Sequence, residues 1–148
     1  MNSIPVKNVA VPILIAAFVF TGGCSLIAHY DQAAYEHAVD AKVDTLVLMN
    51  KAVGDYEEHR KDIETVMTEL DKAYEYDRGR GVNDITVAQW DILRDPERDL
   101  VGGFLTTWKS KGSLSATFIA EKKKQIADAF DQIIQLEAGK LKTAKVKE

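Results

Sequence analysis

Apolar residues in this chain return at steps of three and four, and almost nowhere at steps of two. Tyr30, Ala34, Ala38, Ala41, Thr45, Leu48 and Ala52 form one helical stripe, with Val39, Val43, Leu46 and Val53 forming a second beside it. That spacing predicts a helix over 26–53 that buries a wide face and stops at Gly54. Period-two alternation, the mark of a half-buried strand, is missing, so the chain reads as all-α.

The same rule places the remaining elements. Asp55-Tyr56-Glu57-Glu58 has the form of a capping box, with Asp55 accepting from first-turn amides and Glu58 reaching back. Behind it Ile63, Val66, Met67, Leu70, Ala73 and Tyr74 keep helical spacing up to about Asp77, where Gly79 and Gly81 follow. Thr86 with Gln89 suggests a second capping box opening a short helix through Leu93. Asp95-Pro96 suggests an N-cap followed by proline at the first helical position, where a missing N–H costs nothing. Leu100, Val101, Phe104, Leu105 and Trp108 would be the apolar face of that helix. Gly102-Gly103 inside it calls for a close approach or a kink, since glycine costs about 1 kcal/mol against alanine in a helix. A last long helix, from Ser113 or Ser115 to Gly139, carries Phe118, Ile119, Ile126, Phe130, Ile133, Ile134 and Leu136 on its buried side. The expected architecture is an up-down bundle of three long helices plus two short ones over residues 24–139. A lysine-rich tail, 140–148, has little to bury and should fray.

Before the bundle lies a segment of another kind. Val9 to Phe20 is a 12-residue apolar run, preceded by Lys7 and closed by Thr21-Gly22-Gly23-Cys24. A membrane-spanning helix needs about 20 apolar residues, so this run reads as a targeting segment. It resembles the signal sequence of bacterial lipoproteins, in which signal peptidase II cleaves before a lipobox cysteine that carries lipid and becomes the new N-terminus. Gly22 and Gly23 fit the small residues of that pattern, while Thr21 stands where the family usually has an aliphatic residue. The resemblance covers only the first two dozen residues, and no specific family is apparent for the folded part. It implies a signal peptide over 1–23 and a lipid on Cys24. With Ser25 and not Asp next, it implies the periplasmic face of the outer membrane, or the outer face of the plasma membrane in a Gram-positive cell. An uncleaved anchor, or secretion with cleavage near Ala28, are the other ways to read the run.

Charge and cysteine content narrow the function. Formal net charge is −4, which argues against nucleic-acid binding. The distribution is uneven: Ser25 to Trp108 holds 18 acidic and 9 basic residues, whereas Lys109 to Glu148 holds 9 lysines against 5 acids. Lysines of the tail could contact anionic lipid or cell-wall polymer. Cys24 is the only cysteine, so the domain has no internal disulfide and, once Cys24 is acylated, no thiol for catalysis or metal binding.

Candidate chemistry is sparse. His29, His37 and His59 lie in no Glu-x-x-His or His-Glu-x-x-His arrangement, so no metal site is expected. Asp95 and Asp99 could meet on one helix turn, but Asp95 is better explained as a cap. Arg78-Gly79-Arg80-Gly81 has no preceding strand and no Gly-Lys-Ser/Thr after it, and reads as a helix-ending turn. No Gly-x-Ser-x-Gly elbow exists. No cofactor and no catalysis are expected. Tyr76 and Trp90 lie near breaks and are the candidates for a binding surface, whereas Phe104 and Trp108, at i and i+4, belong to a core. The reading that follows is a non-enzymatic interaction or scaffold module of the cell envelope with a protein partner. Two others stay open: an inhibitor or immunity-type protein against an incoming enzyme, and a small-ligand carrier or enzyme with a pocket in the bundle.

Overall fold

A computed structural model describes residues 28–145, and side chains through Lys140. Five α-helices follow one another: α1 Gln32–Asn50, α2 Arg60–Gly79, α3 Asp84–Arg94, α4 Val101–Lys111 and α5 Ala116–Lys145. Single 3₁₀ turns at Lys51–Val53 and Glu57–His59 link α1 to α2. No strand occurs among the described residues. Both α1 and α3 pack against α2 and α5, so the legs form a closed ring around one core. α3 and α4 together make the third leg, in two pieces. Three long helices and two short ones is the architecture that the periodicity predicts.

Each leg contributes one stripe. Ala34, Ala38, Ala41, Leu48 and Ala52 line the α1 side, and Ile63, Val66, Leu70 and Ala73 the α2 side. Ile119, Ile126, Phe130 and Ile133 come from α5, joined by Trp90, Leu93, Val101, Phe104 and Trp108 from the broken leg. Small residues on α1 let its neighbours approach closely, and the aromatic bulk comes from the opposite side. The second α1 stripe is only partly buried: Leu46 packs against the core, while Val43 and Val53 are more than half exposed. A wide buried face on α1 would need a further layer outside it, and α1 packs mainly against α2 and α5.

Several boundaries differ from the expected ones, each for a local reason. α1 begins at Gln32, because Asp31 caps it by accepting from Ala34 N at 3.1 Å, and residues 28–31 are not helical. Asp55 accepts from Glu57 N at 2.8 Å, a side-chain turn that starts a 3₁₀ segment before α2. Thr86 is no cap; it lies inside α3, buried. Asp95 ends α3 and its carboxylate accepts from Glu97 N at 2.8 Å, so Asp95-Pro96 opens a turn and α4 starts only at Val101. The two acids do not pair, since Asp99 binds Lys122 at 2.5 Å. A Cβ on Gly102 would lie 2.6 Å from the Asp95 carbonyl, and one on Gly103 would collide with the Arg98 carbonyl. The close approach that the glycine pair calls for is thus between α4 and the corner just before it. Finally, α5 runs through Gly139 to Lys145, past the expected stop and into the supposed tail.

The two ends of the ring are built differently. Where α1 meets α2 and α4 meets α5, Trp108 donates its indole N–H to the carbonyls of Gly54 (3.0 Å) and Gly112 (3.1 Å). Backbone bonds from Tyr56 N to Gly112 O (2.9 Å) and from Leu114 N to Ala52 O (2.8 Å) stitch the same two corners. Tyr56 stands edge-on to the Trp108 ring at 5.4 Å. Opposite lies the end from which the described chain emerges at Ala28. There the α2–α3 loop places Val82, a β-branched residue, at φ +57°, a left-handed conformation that costs a non-glycine residue about 1–2 kcal/mol.

Candidate functional site: a buried charge layer at the N-terminal end

The core stripes of α2 and α5 do not stop when their apolar residues run out. On α2 the series Ile63, Val66, Leu70, Ala73 continues to Asp77, and on α5 the series Ile126, Phe130, Ile133 continues to Glu137 and Lys140. Asp77, Asn83, Thr86, Glu137 and Lys140 are all buried. Helical geometry forces Asp77, Glu137 and Lys140 inward, and so their charges must be satisfied inside.

They satisfy one another. Asp77 accepts at one oxygen from Arg80 Nη1 (2.8 Å) and Asn83 Nδ2 (2.9 Å), and at the other from the Trp90 indole N–H (2.7 Å). Glu137 accepts from Arg80 Nη1 (3.0 Å) at Oε2, and from Thr86 Oγ1 (3.1 Å) and Lys140 Nζ at Oε1. Lys140 also donates to Asn83 Oδ1 (2.7 Å). Two carboxylates therefore face one guanidinium and one ammonium, and the layer is neutral. Burial alone would lower the pKa of Arg80, but its bonds to Glu137 and Asp77 outweigh that and hold it above its ordinary value.

The layer also grips the start of the chain. Arg80 Nη2 donates to the His29 carbonyl at 2.5 Å. Beside it Tyr76 Oη donates to both oxygens of Asp31, at 3.1 and 3.0 Å. Asp31 is held below the usual carboxylate range, first by the Ala34 amide and then by Tyr76, with Arg80 adding to the effect. The same bond to Asp31 pushes the Tyr76 hydroxyl above its ordinary value. Both shifts favour a carboxylate facing a neutral phenol. That state holds from above the unfolded aspartate value, about 3.9, to below the unfolded tyrosine value, about 10.

The sequence-predicted residues fall out as follows. Tyr76 is exposed and clamps the N-terminal segment. Trp90 is not a surface residue: it is fully buried, edge-on to Phe130 at 6.1 Å, because Asp77 gives its N–H a partner inside. Phe104 and Trp108 are in the core, as their spacing indicates. Lys140 belongs to the charge layer and not to a frayed tail. Cys24, the 1–23 segment and the lysine side chains beyond Lys140 lie outside what is described. His37 lines an open cleft of about 270 Å³ between α1 and α2, rimmed by Asp40, Asp44 and Glu69, while both tryptophans are elsewhere in the core. His59 packs on Trp108 at 5.8 Å. Among the described residues no three His, Cys, Asp or Glu side chains gather to hold a metal ion, and no helix is long and apolar enough to cross a membrane.

The layer is saturated. Each of its carboxylate oxygens already accepts from a neighbour within the fold, an arrangement suited to holding a shape and a strand of chain. The fold and this end define a helical bundle closed by a buried, neutral charge layer. Compared with protein-family models, curated proteins and solved structures, the chain shows no match to any of them.

Proposed function

We propose that this chain is a lipid-anchored protein of the cell envelope that works without catalysis, as an interaction or scaffold module at the periplasmic face of the outer membrane. The observation that carries the reading is the apolar run ending in Gly22-Gly23-Cys24, which has the order of parts of a lipoprotein signal. What supports the second half is the character of the bundle: a closed core, a saturated charge layer, and an N-terminal segment fastened to α2. Such a body offers position and surface. Its contacts would be with a protein partner in the envelope and, through lysines near the C-terminal end, with anionic lipid or cell-wall polymer.

Replacing Cys24 by Ser tests the anchor. The intact mass of the wild-type protein should correspond to cleavage before Cys24 plus acyl chains, and the variant should accumulate uncleaved and unlabelled by radioactive fatty acid. A variant that still matures and stays membrane-bound would sink the reading. For the partner, capture from detergent-solubilised envelopes should yield a resident envelope protein in stable proportion. Recovery of a foreign toxin alone would favour the inhibitor role instead.

A further inference from the structure

We infer that the α2–α3 loop and the first turn of α3 form a membrane-docking tip, whose Val82 and Ile85 side chains seat in the interfacial region of the anionic bilayer that holds the chain's own anchor. The inference rests on the reading of Cys24 as the anchored residue, and three observations carry it.

The first is reach. Four Cα-to-Cα steps separate Cys24 from Ala28, and at no more than about 3.6 Å each they span at most about 14 Å in any conformation. Ala28 is buried, and the neighbouring His29 carbonyl is held by Arg80. A lipid on Cys24 therefore brings the charge-layer end of the bundle, and no other end, to the bilayer surface.

The second is what stands there. Val82, two residues beyond Arg80 in the loop, and Ile85, in the first turn of α3, are 55% and 56% exposed. Val82 holds its left-handed backbone conformation next to Gly81, a residue that would adopt it freely. Arg80 and Asn83, on either side of Val82, are both locked into the buried layer. The loop is thus presented rigidly, with Val82 outward.

The third is charge. Arg78 is exposed on the last turn of α2, where Glu75 pairs with it at 2.8 Å. From Lys140 the α5 backbone continues for five more residues at this end, a run of about 7.5 Å that includes Lys142 and Lys145 in the sequence. Basic residues close to an anionic leaflet are attracted to it, and Asp84 at the start of α3 and Glu75 beside Arg78 are acidic groups that this attraction must outweigh.

The test uses the full chain purified from membranes and reconstituted into vesicles of phosphatidylethanolamine with phosphatidylglycerol. Val82→Cys, Ile85→Cys and, at the opposite end, Lys111→Cys are each labelled with an environment-sensitive thiol fluorophore, and quenching by a headgroup spin-labelled lipid is measured. Labels at 82 and 85 should be quenched several-fold more strongly than the label at 111. Equal quenching at the three positions overturns the docking tip. The anchor is read separately in the same samples by intact mass, which should show cleavage before Cys24 plus acyl chains with one fluorophore per chain; two fluorophores per chain would refute lipidation. In that case the comparison is repeated with Cys24→Ser, where the uncleaved apolar run tethers the chain at the same end, and the same two outcomes decide it.

Discussion

The two ends of this bundle solve one problem in opposite ways. At the Trp108 end, two corners are joined by an aromatic side chain donating to backbone carbonyls, with Tyr56 and His59 packed on its faces. At the Asp77–Glu137 end, four charged side chains close the core, with the buried Trp90 indole donating to Asp77. Aromatic closure gains from area removed from water and tolerates imperfect geometry. Charge closure must recover a large desolvation cost through hydrogen bonds, and it does so in one register only. The second end is therefore expected to set how α5 sits against α2 and α3 more than to add stability.

That contrast can be broken most severely at Glu137. Glu137→Ala should destabilise the fold by about 3–5 kcal/mol, because Lys140 is then buried without a carboxylate and Arg80 loses one of two. Removing charge on both sides, with Glu137→Met and Lys140→Met together, should cost less than the single change despite altering more atoms. Urea denaturation of the three proteins checks this, and a double variant worse than the single would show that the layer contributes net stability and not mainly register. At the other end the effect is smaller. Trp108→Phe keeps most of the ring but strips two carbonyls of their donor, and should cost about 1–2 kcal/mol, since Gly112 O retains the Tyr56 amide. Thermal unfolding, read together with hydrogen exchange at Tyr56 and Leu114, will show whether the loss stays at that corner.

The smallest effect concerns the clamp on the N-terminal segment. Asp31→Asn keeps a good cap but removes the charge that Tyr76 and the α1 amides favour, so the variant should lose under about 1 kcal/mol at neutral pH, solvent screening the partly exposed site. Asp31 has its folded pKa lowered, so its contribution is complete above the unfolded value of about 3.9 and disappears as pH falls through the folded value. Wild type and variant should therefore differ in denaturation midpoint at pH 7 and converge as pH falls through the lowered folded value of Asp31. A gap that persists at low pH would mean that the carboxylate's charge is irrelevant to the clamp.

Much of the fold could be read from spacing alone, and the failures are instructive. Ile63 to Ala73 and Ile126 to Ile133 announce their helices because apolar residues mark the inward face. Phe104 and Trp108 declare a core position by the same rule. The charge layer is not announced by the apolar pattern, because Asp77, Glu137 and Lys140 are charged and the apolar count stops before each of them. Carrying the three-and-four count past the last apolar residue lands on all three, and the opposite signs on α2 and α5, with Glu137 and Lys140 at i and i+3, complete the signal. Trp90 was misplaced for a related reason: its location near a break suggested a surface, but a buried acid one helix away supplies the partner its N–H needs. Gly139 looked like a stop only while Lys140 looked free.

The bond between Arg80 and the His29 carbonyl has a mechanical side. A load arriving along the chain from its N-terminal side does not reach the first turn of α1 directly. It meets two cross-links to α2 first, at His29 and at Asp31, and through Arg80 it passes to Glu137 on α5. Tension is thereby shared among three helices as shear. Without those two links the same pull would peel α1 one backbone bond at a time, each failing alone.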